Sequence, residues 1–509
     1  MNQTGFPLVS LVLWLPTLGA LALALVPRGQ VQLQRSVALA FALAAFAASL
    51  PLYFLFSPQQ GGFQFVESLP WVPAWGIGYN LAVDGVSLWL VLLTTFLTPI
   101  VLLTTWGEET GDARTYQALL LLLATGLTGV FVAQDLLLFY VFFEFTLIPT
   151  ALLIGVFGGP GRVRAATKFF LYPFFGSLFM LVGIIWLYLL HGQDTGLYTF
   201  DYRAILASMQ VGQLQLSQLE ERLLFAAFFA GFAVKVPIWP FHTWMPDAHA
   251  EAPNSGAVDV AGMLVKIGAY GLIRFNLQLF PAASVWAAPA IAVLAVVGIL
   301  YAALVAYAQT DMKRMLAYAS VSHLGFIVLG IFAFNPQGIS GALVQMVNSG
   351  VTTGALFLIV GMLYARRGSR ALGAFGGVWK AAPALGSLAL VMVLGAVGLP
   401  GLNGFVGEFA IMQGAWISSV IGFGYVTAAV LGVIFAAVYL LRMYKLAFMG
   451  DTTPETAAFP DLRPREALIL ALLLLPTVAI GVYPNLLLAP MQGTVQQIAG
   501  QLSLVVASR

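Results

Sequence analysis

The sequence predicts an all-α integral membrane protein, and its composition and apolar runs carry that prediction. Hydrophobic residues make up 60% of the 509 residues and charged residues only 8%, whereas an ordinary soluble domain is about 25% charged. The mean hydropathy is +0.93. Stretches of about 20 apolar residues, the length that a helix needs to cross the hydrocarbon, recur along nearly the whole chain. Membrane spans therefore fill the length that a soluble core would otherwise occupy.

Hydropathy along the chain predicts about 14 membrane-spanning helices. The first run has no basic residue before it, so we expect a retained span rather than a cleaved signal peptide. The predicted ranges are 7–26, 37–56, 86–106, 116–132, 136–157, 167–190, 223–243, 256–280, 286–307, 315–334, 339–364, 383–415, 420–441 and 467–486.

One polytopic membrane domain, residues 1–509, accounts for the whole chain. We expect an N-terminal part over 1–115, a first repeat over 116–280, a second repeat over 286–447, and a C-terminal span and tail over 466–509. The longest polar stretch, 191–222, is expected to be an outer loop and not a linker between domains.

The basic residues predict how the chain is oriented, because cytoplasmic loops are enriched in Lys and Arg. The loops and flanks after odd-numbered spans hold Arg28, Arg35, Arg114, Arg162, Arg164, Lys168, Lys313, Arg314, Arg366, Arg367, Arg370, Lys380, Arg442, Lys445, Arg463 and Arg465, which are 16 residues. The opposite side holds only Arg203, Arg222, Arg274 and Arg509, which are 4 residues. This asymmetry predicts a multi-pass protein of the inner (plasma) membrane with both termini on the periplasmic face.

Several functional classes are excluded by composition. The sequence has no cysteine, which removes disulfides, thiolate metal sites and iron-sulfur ligation, and its 4 histidines leave little for haem or zinc. We therefore expect no cofactor and no metal in this chain. The basic residues sit in short loops without interleaved aromatic side chains, so nucleic-acid binding is not predicted.

Four charged residues stand out near the middle of the predicted spans: Glu144, Lys235, Lys266 and Glu408. Each costs about 2.5 to 3.5 kcal/mol near the bilayer centre, so such residues usually face protein or water and serve a function. A low-dielectric site disfavours the charged form of lysine, and a nearby carboxylate favours it. A lysine and a carboxylate together can therefore bind and release a proton. The alternative is a structural ion pair or a charge that snorkels to the membrane surface.

Two of these charges lie beside helix-breaking residues. Lys235 is followed by Pro237 and Pro240, and Glu408 follows the glycine- and proline-containing run 398–404. Proline removes a backbone donor, so spans 7 and 12 are predicted to be discontinuous. Broken helices at matching positions are typical of inverted-repeat transporters, here with spans 4 to 8 and 9 to 13 as repeats of five. The halves share no strong residue identity, and prolines that only kink the helix for packing are the alternative.

Histidine titrates near neutral pH, which makes His323 in the tenth span a candidate proton relay. The alternative for His323 is a ring satisfied by a neighbouring hydroxyl such as that of Ser320. His242 and His249 flank a turn and are either inlet-side groups or loop structure. Asp135, just before the fifth span, is predicted to cap a helix.

Three segments carry a family resemblance: FYVFFEFTLIPTALLIGVFGG, KVPIWPFHTWMPDAHAEAP and YASVSHLGF. With them the chain resembles the antiporter-like subunit M of NADH:quinone oxidoreductase, respiratory complex I, known as subunit 4 in mitochondria, from about residue 84 to 483. The resemblance implies a 14-span fold with Glu144 and Lys235 as a proton-input pair. It also implies that Lys266 and His323 continue the central axis and that Glu408 faces the exit.

The sequence departs from the family pattern at two places. The family often has a histidine in the eleventh span where this chain has Asn348, which cannot titrate, so a relay step there needs water or a bypass. Asp259 lies seven residues before Lys266, nearly two helical turns away, which places the two on the same face. Asp259 therefore either pairs with Lys266 or alters the route by which protons enter.

The resemblance implies a translocase subunit that moves protons from the cytoplasm to the outside, coupled to electron transfer elsewhere. NADH or another electron donor, FMN, iron-sulfur clusters and quinone are then expected in other subunits. The expected partners are the other membrane subunits of complex I, including further antiporter-like subunits, and the lipid bilayer. The alternatives are a subunit of a multi-subunit sodium/proton antiporter, against which the segment FFEFTLIP argues, and a purely structural membrane scaffold.

Overall fold

The computed structural model describes residues 6–107, 111–253, 256–257 and 264–507, and helices dominate these ranges. The first half contains α1 Leu8–Leu25, α2 Val31–Phe54, β1 Gln64–Val72, β2 Ile77–Val83, α3 Ser87–Thr104, α4 Ala113–Val132, α5 Leu136–Phe145, α6 Leu147–Phe157, α7 Arg162–Thr195, α8 Tyr202–Gln210, α9 Gln218–Lys235, α10 Trp244–Glu251, α11 Leu264–Gly271 and α12 Leu277–Leu279. The second half contains α13 Pro281–Ala308, α14 Met312–Ile331, α15 Pro336–Asn348, α16 Gly354–Arg367, α17 Val378–Ala381, α18 Pro383–Val397, α19 Asn403–Ile417, α20 Phe423–Phe448, α21 Pro464–Val482 and α22 Asn485–Ala507.

Within the described ranges, 11 helical segments are long and apolar enough to cross a membrane. They are α1, α2, α3, α4, α5 with α6, α7, α13, α14, α15 with α16, α20 and α21. These segments coincide with predicted spans 1 to 6, 9 to 11, 13 and 14. In the most apolar 18-residue stretch of Pro336–Arg367, 94% of the residues are buried, whereas the share is only 33% in that of α20. The eleventh span is therefore central in the bundle, and α20 presents an apolar face outward.

The seventh span is interrupted, as predicted. Helix α9 ends at Lys235, and α10 begins only at Trp244. The segment between them contains Pro237, which has a φ of 24°, and Pro240. Trp244 donates its indole N–H to the carbonyl of Val234 at 2.9 Å, so the first residue of α10 satisfies a backbone group at the end of α9.

The twelfth span is also interrupted, between the end of α18 at Val397 and the start of α19 at Asn403. Gly398 and Gly401 in this break have φ values of 84° and 92°, in the left-handed region that favours glycine. A Cβ atom on Gly398 would also lie 2.8 Å from Oε2 of Glu408. Glycine at position 398 thus permits both the turn and the close approach of the Glu408 carboxylate.

Two other spans contain a π-helical turn that the sequence does not predict. Leu272–Asn276 joins α11 to α12 in the eighth span, and Ser349–Thr353 joins α15 to α16 in the eleventh. Such turns occur mostly as single insertions within α-helices and often lie at functional sites. Asp259, the predicted neighbour of Lys266, lies outside the described residues.

A β-hairpin between α2 and α3 is a second feature that hydropathy does not predict. Strands β1 and β2 pair in antiparallel fashion, with Ser68 opposite Asn80. The carboxylate of Glu67 in β1 accepts the backbone N–H groups of Val9 at 2.7 Å and Ser10 at 3.0 Å. The hairpin therefore satisfies backbone donors at the start of α1, and the protein remains predominantly α-helical.

The C-terminal residues form a long helix, α22, where the sequence predicts only a tail. Helix α22 packs against α13 and α15. Its Thr494 hydroxyl accepts the backbone N–H of Gly85 at 3.1 Å, and the Leu487 carbonyl accepts the indole N–H of Trp89 at 3.1 Å. The helix thus attaches the end of the chain to the beginning of α3.

Candidate functional site

Glu144 and Lys235 meet where α5 passes into α6. Lys235 is the last residue of α9 and its side chain is buried. Its Nζ donates to the Thr146 hydroxyl at 3.2 Å and lies 4.5 Å from the centre of the Phe143 ring. Phe143, Glu144 and Thr146 belong to one turn, so the predicted pair is brought to one place.

No direct ion pair between Glu144 and Lys235 is described, although the two charges are close enough to interact electrostatically. The Ser177 hydroxyl lies beside the Glu144 carboxylate, whose Oε1 is buried without a hydrogen-bond partner among the described residues. An unsatisfied buried carboxylate oxygen calls for a water molecule or a moving donor. The carboxylate therefore retains the capacity to accept a proton or a hydrogen bond.

Lys266 lies one helix further along the bundle, on α11, and is 7% exposed. It lines a cavity of about 30 Å³ together with His249, Ser320, Ser349 and Thr353. A cavity of this size and polarity holds about two water molecules. In the described part of the chain the Lys266 ammonium forms no hydrogen bond or ion pair, and its possible pairing with Asp259 stays a prediction.

His323 and Glu408 are in direct contact, although they are far apart in sequence. Nδ1 of His323 lies 3.1 Å from Oε1 of Glu408, and both side chains are buried. The contact has ion-pair distance, but the ring is not aligned for a hydrogen bond. Ser320, the alternative partner of His323, instead donates to the carbonyl of Leu316 at 2.9 Å. The predicted relay and the predicted exit residue therefore form one unit.

A chain of neutral polar groups extends from Glu408 into the break of the twelfth span. Gln345 donates to Oε1 of Glu408 at 3.2 Å, and Asn348 donates to Gln345 at 3.2 Å and to the carbonyl of Asn403 at 2.6 Å. The Asn403 amide donates to the Thr352 hydroxyl at 2.8 Å. Asn348, which cannot titrate, thus binds the buried backbone where α19 begins after the break.

Two groups near Glu408 were not identified from sequence. Gln345 is an amide in a mostly apolar run, three residues before Asn348, and this is the one sequence signal for it. Tyr439 on α20 is fully buried, its hydroxyl has no hydrogen-bond partner among the described residues, and it lies within electrostatic range of Glu408. The sequence does not single out Tyr439, because most tyrosines in apolar helices are ordinary packing residues.

The buried ion pair between Arg274 and Asp84 was also not predicted. Nη2 of Arg274 lies 2.6 Å from Oδ2 of Asp84, with side chains 2% and 1% exposed. Arg274 was counted from sequence with the loop and flank charges of the outer side, and the structure places it in the π turn of the eighth span as half of this buried pair. Asp84 also accepts the backbone N–H groups of Val86 and Ser87 at the start of α3. This pair joins α3 to the π turn of the eighth span.

The remaining predicted polar groups have structural partners. Asp135 caps α5 by accepting the N–H groups of Leu137 and Leu138, as predicted. The ring of His242 packs edge-on against Tyr301, and that of His249 stacks on Phe357. In the described ranges, no group of three or more His, Cys, Asp or Glu side chains could hold a metal ion.

A family model described as "NADH:quinone oxidoreductase/Mrp antiporter, TM" matches residues 133–435. The match covers more than half of the chain and includes all five predicted site residues. The chain belongs to this family. This match confirms the resemblance to an antiporter-like subunit. The all-α membrane fold that the sequence predicts agrees with the match.

The family name combines subunits of NADH:quinone oxidoreductase and of Mrp antiporters. Individual relatives show which of the two groups this chain resembles more. The chain is 42% identical over 492 residues to NADH-quinone oxidoreductase subunit M of Rhodobacter capsulatus, covering 94% of each chain. It is 33% identical to a chain of respiratory complex I from Thermus thermophilus with bound NADH, with a TM-score of 0.87 and coverage of 98% and 99%. A chain of the Mrp complex from Dietzia sp. DQ12-45-1b is 22% identical with a TM-score of 0.81 and coverage of 99% of each, which shows a shared fold alone. The complex I branch is favoured.

Proposed function

We propose that this protein is a proton-translocating membrane subunit of an NADH:quinone oxidoreductase, driven by electron transfer in other subunits. The observation that carries the proposal is the buried contact between His323 and Glu408 beside the break of the twelfth span. It stands in the same bundle as two buried lysines, Lys235 and Lys266. A row of buried proton-exchanging groups has a high free-energy cost in a membrane and is typical of proton relays.

The Glu144–Lys235 cluster is the proposed input. The Glu144 carboxylate favours the protonated ammonium of Lys235, while burial opposes it. Thr146 holds the ammonium through one hydrogen bond. Any change that moves or neutralises Glu144 then favours release of the lysine proton. Lysine suits this role because a guanidinium does not deprotonate in proteins.

The proposed middle of the path runs from Lys235 to Lys266 and on to His323. The small cavity beside Lys266 is also lined by Ser320, which lies one turn before His323 on α14. Water in this cavity would connect the ammonium with the helix that carries the histidine. His323 can then accept a proton at one ring nitrogen and present its charge to Glu408.

Glu408 is the proposed exit. Its Oε1 faces His323 and Gln345, whereas Oε2 faces Gly398 in the helix break. The break leaves backbone carbonyls without helical partners, and these are able to hold water. A carboxylate with one oxygen on the relay and the other on the break is placed to pass a proton from one to the other.

The assembly and orientation follow from the same proposal. NADH or another electron donor, FMN, iron-sulfur clusters and quinone belong to other subunits, and further antiporter-like subunits are neighbours in the membrane. Both termini lie on the periplasmic side of the inner membrane because the cytoplasmic loops carry most of the basic residues. The two helix breaks support the repeats formed by spans 4 to 8 and 9 to 13.

The test is proton translocation by the complete complex in sealed proteoliposomes. Glu144→Gln and Lys235→Ala should lower the number of protons moved per quinone reduced while the subunit still assembles. Lys168→Gln is a matched control, because Lys168 pairs with Asp247 at the bundle surface and is 25% exposed. Full stoichiometry in both site variants would identify a structural scaffold. Purification without iron-sulfur subunits, together with sodium-dependent transport, would identify the antiporter alternative.

A further inference from the structure

The paired helices α13 and α20 carry a surface groove that the proton path does not use. The groove has a volume of about 390 Å³ and is lined by Val293, Val297, Phe423, Tyr425 and Ala428 together with small neighbours. This volume falls within the roughly 300 to 1,000 Å³ of small-ligand sites. Val293 and Phe423 are 49% and 63% exposed. The groove is thus apolar and open to the side of the bundle.

The groove is a slot because a glycine contributes no side chain to one of its walls. Gly424 lies in the lining, and a Cβ atom there would meet no atom within 4 Å. The Tyr425 hydroxyl is already used, since it donates to the carbonyl of Pro289 at 3.3 Å. The walls therefore offer apolar contact without a free polar group, which fits a hydrocarbon chain.

A cation, Arg222, lies over a tryptophan of α13 that precedes the groove by about two helical turns. The guanidinium carbon of Arg222 lies 4.6 Å from the centre of the Trp286 ring. No carboxylate in the described ranges pairs with Arg222. Its neighbour Glu221 instead accepts the backbone N–H groups of Ala282 and Ala283 at the start of α13. Arg222 is therefore held in place by an aromatic ring while its charge stays available to an anion.

The cation and the groove lie along one face of α13. Trp286, Val293 and Val297 are separated by 7 and 4 residues, so at about 100° per residue they share one stripe of the helix. At about 1.5 Å per residue, Val293 and Val297 lie roughly 10 and 16 Å from Trp286 along the axis. Trp286 and Trp416, 51% and 56% exposed, mark this end as interfacial, since tryptophan is enriched where membrane meets water.

We propose that Arg222, Trp286 and the α13–α20 groove bind one anionic phospholipid. The phosphate pairs with the Arg222 guanidinium, whose planar fork matches phosphate oxygens. One acyl chain runs from there along Val293 and Val297 into the groove. A phospholipid has its phosphate at the membrane surface and its acyl chains below. A cation at that depth above an apolar slot matches this order, so charge complementarity favours a lipid over a helix of another subunit.

The test uses the assembled complex in proteoliposomes that contain a photoreactive acyl chain on either phosphatidylglycerol, which is anionic, or phosphatidylcholine, which is zwitterionic. Labelled positions are mapped by mass spectrometry. We expect phosphatidylglycerol to label the segments around Val293 and Phe423 at least threefold more than phosphatidylcholine. Arg222→Gln should remove this preference, and Val293→Trp, which fills the slot, should lower labelling by both lipids.

Arg442→Gln is the matched control. Arg442 also packs on an aromatic ring, that of Tyr307 at 4.8 Å, but at the opposite end of the same helix pair. Its removal should leave labelling at Val293 unchanged. Equal labelling by both lipids, an unchanged preference in Arg222→Gln, or cross-links from Val293 to another subunit in place of lipid would each overturn the proposal. The wild-type comparison alone decides the matter if a variant fails to assemble.

Discussion

Replacement of Glu408 by glutamine tests the proposed exit with little change in shape. The amide oxygen can still accept from Gln345, but the negative charge that faces His323 is lost. Two unit charges 3.1 Å apart interact by about 5 kcal/mol at an effective dielectric constant of about 20. This is an upper limit, because it applies only while His323 carries a second proton. Even about 1.4 kcal/mol changes the proton occupancy of a site tenfold.

We therefore expect Glu408→Gln to slow coupled proton release and quinone reduction about tenfold, and Glu408→Asp to retain part of both. The assay records NADH oxidation and internal pH together in proteoliposomes, across a range of external pH. Turnover with an uncoupler separates a blocked proton path from damage to electron transfer. The assembled amount of the subunit is measured in parallel.

Glu466→Gln is the control for loss of a buried carboxylate away from the path. Glu466 pairs with Arg366 at 2.6 Å, with side chains 10% and 5% exposed. We expect this variant to lower thermal stability while the number of protons per quinone stays normal. If Glu408→Gln instead shows unaltered turnover and proton release across the pH range, Glu408 is structural and the exit lies elsewhere.

The remaining predictions concern three other buried groups. Thr146→Val keeps the volume but removes the acceptor of the Lys235 ammonium, a hydrogen bond to a charged group worth about 1.5 to 3 kcal/mol. Proton translocation should fall about tenfold with assembly intact, as measured in the same vesicles, and an unchanged rate would contradict the assigned contact. Asp84→Asn leaves Arg274 buried without its counter-charge, which costs about 3 to 5 kcal/mol. The thermal unfolding midpoint of the subunit should drop, and Arg274→Met on that background should recover part of the loss. Tyr439→Phe removes only a hydroxyl without a described partner, so it should leave stability unchanged. It should slow proton release several-fold if water links that hydroxyl to Glu408, and an unaffected rate would reduce Tyr439 to a packing residue.

Sequence reasoning succeeded where a single residue type determines local structure. Apolar length located the 11 spans that the described ranges contain. Pro237 and the Gly398 region located the two breaks, because proline and glycine change the backbone wherever they occur. The charges at Lys235 and Glu408 were identified by their cost in an apolar environment. These signals act within one or two helical turns and need no knowledge of packing.

Sequence reasoning failed where contacts join distant segments. His323 and Glu408 were recognised separately, but no local pattern states that α14 and α19 bring them together. The pairing of Arg274 with Asp84 was not predicted because hydropathy does not register a counter-charge that lies far away in sequence. The hairpin β1–β2 lies in a stretch whose prolines and glycines resemble an ordinary loop. In each case the deciding interaction comes from tertiary structure.

Two buried pairs of the described bundle, Arg274–Asp84 and His323–Glu408, illustrate opposite uses of charge in a membrane. Arg274 and Asp84 are a hydrogen-bonded pair at 2.6 Å, and because a guanidinium does not deprotonate, the pair holds its charges permanently and serves to join helices. His323 and Glu408 are farther apart, poorly aligned and supported by the neutral amide of Gln345. No permanent cation in the described surroundings fixes the charge of Glu408, so the arrival or departure of one proton at His323 changes the electrostatics of the pair. A histidine in place of a permanent cation, beside a helix break, is the chemical difference by which the proposed site would exchange protons and the Arg274–Asp84 contact would not.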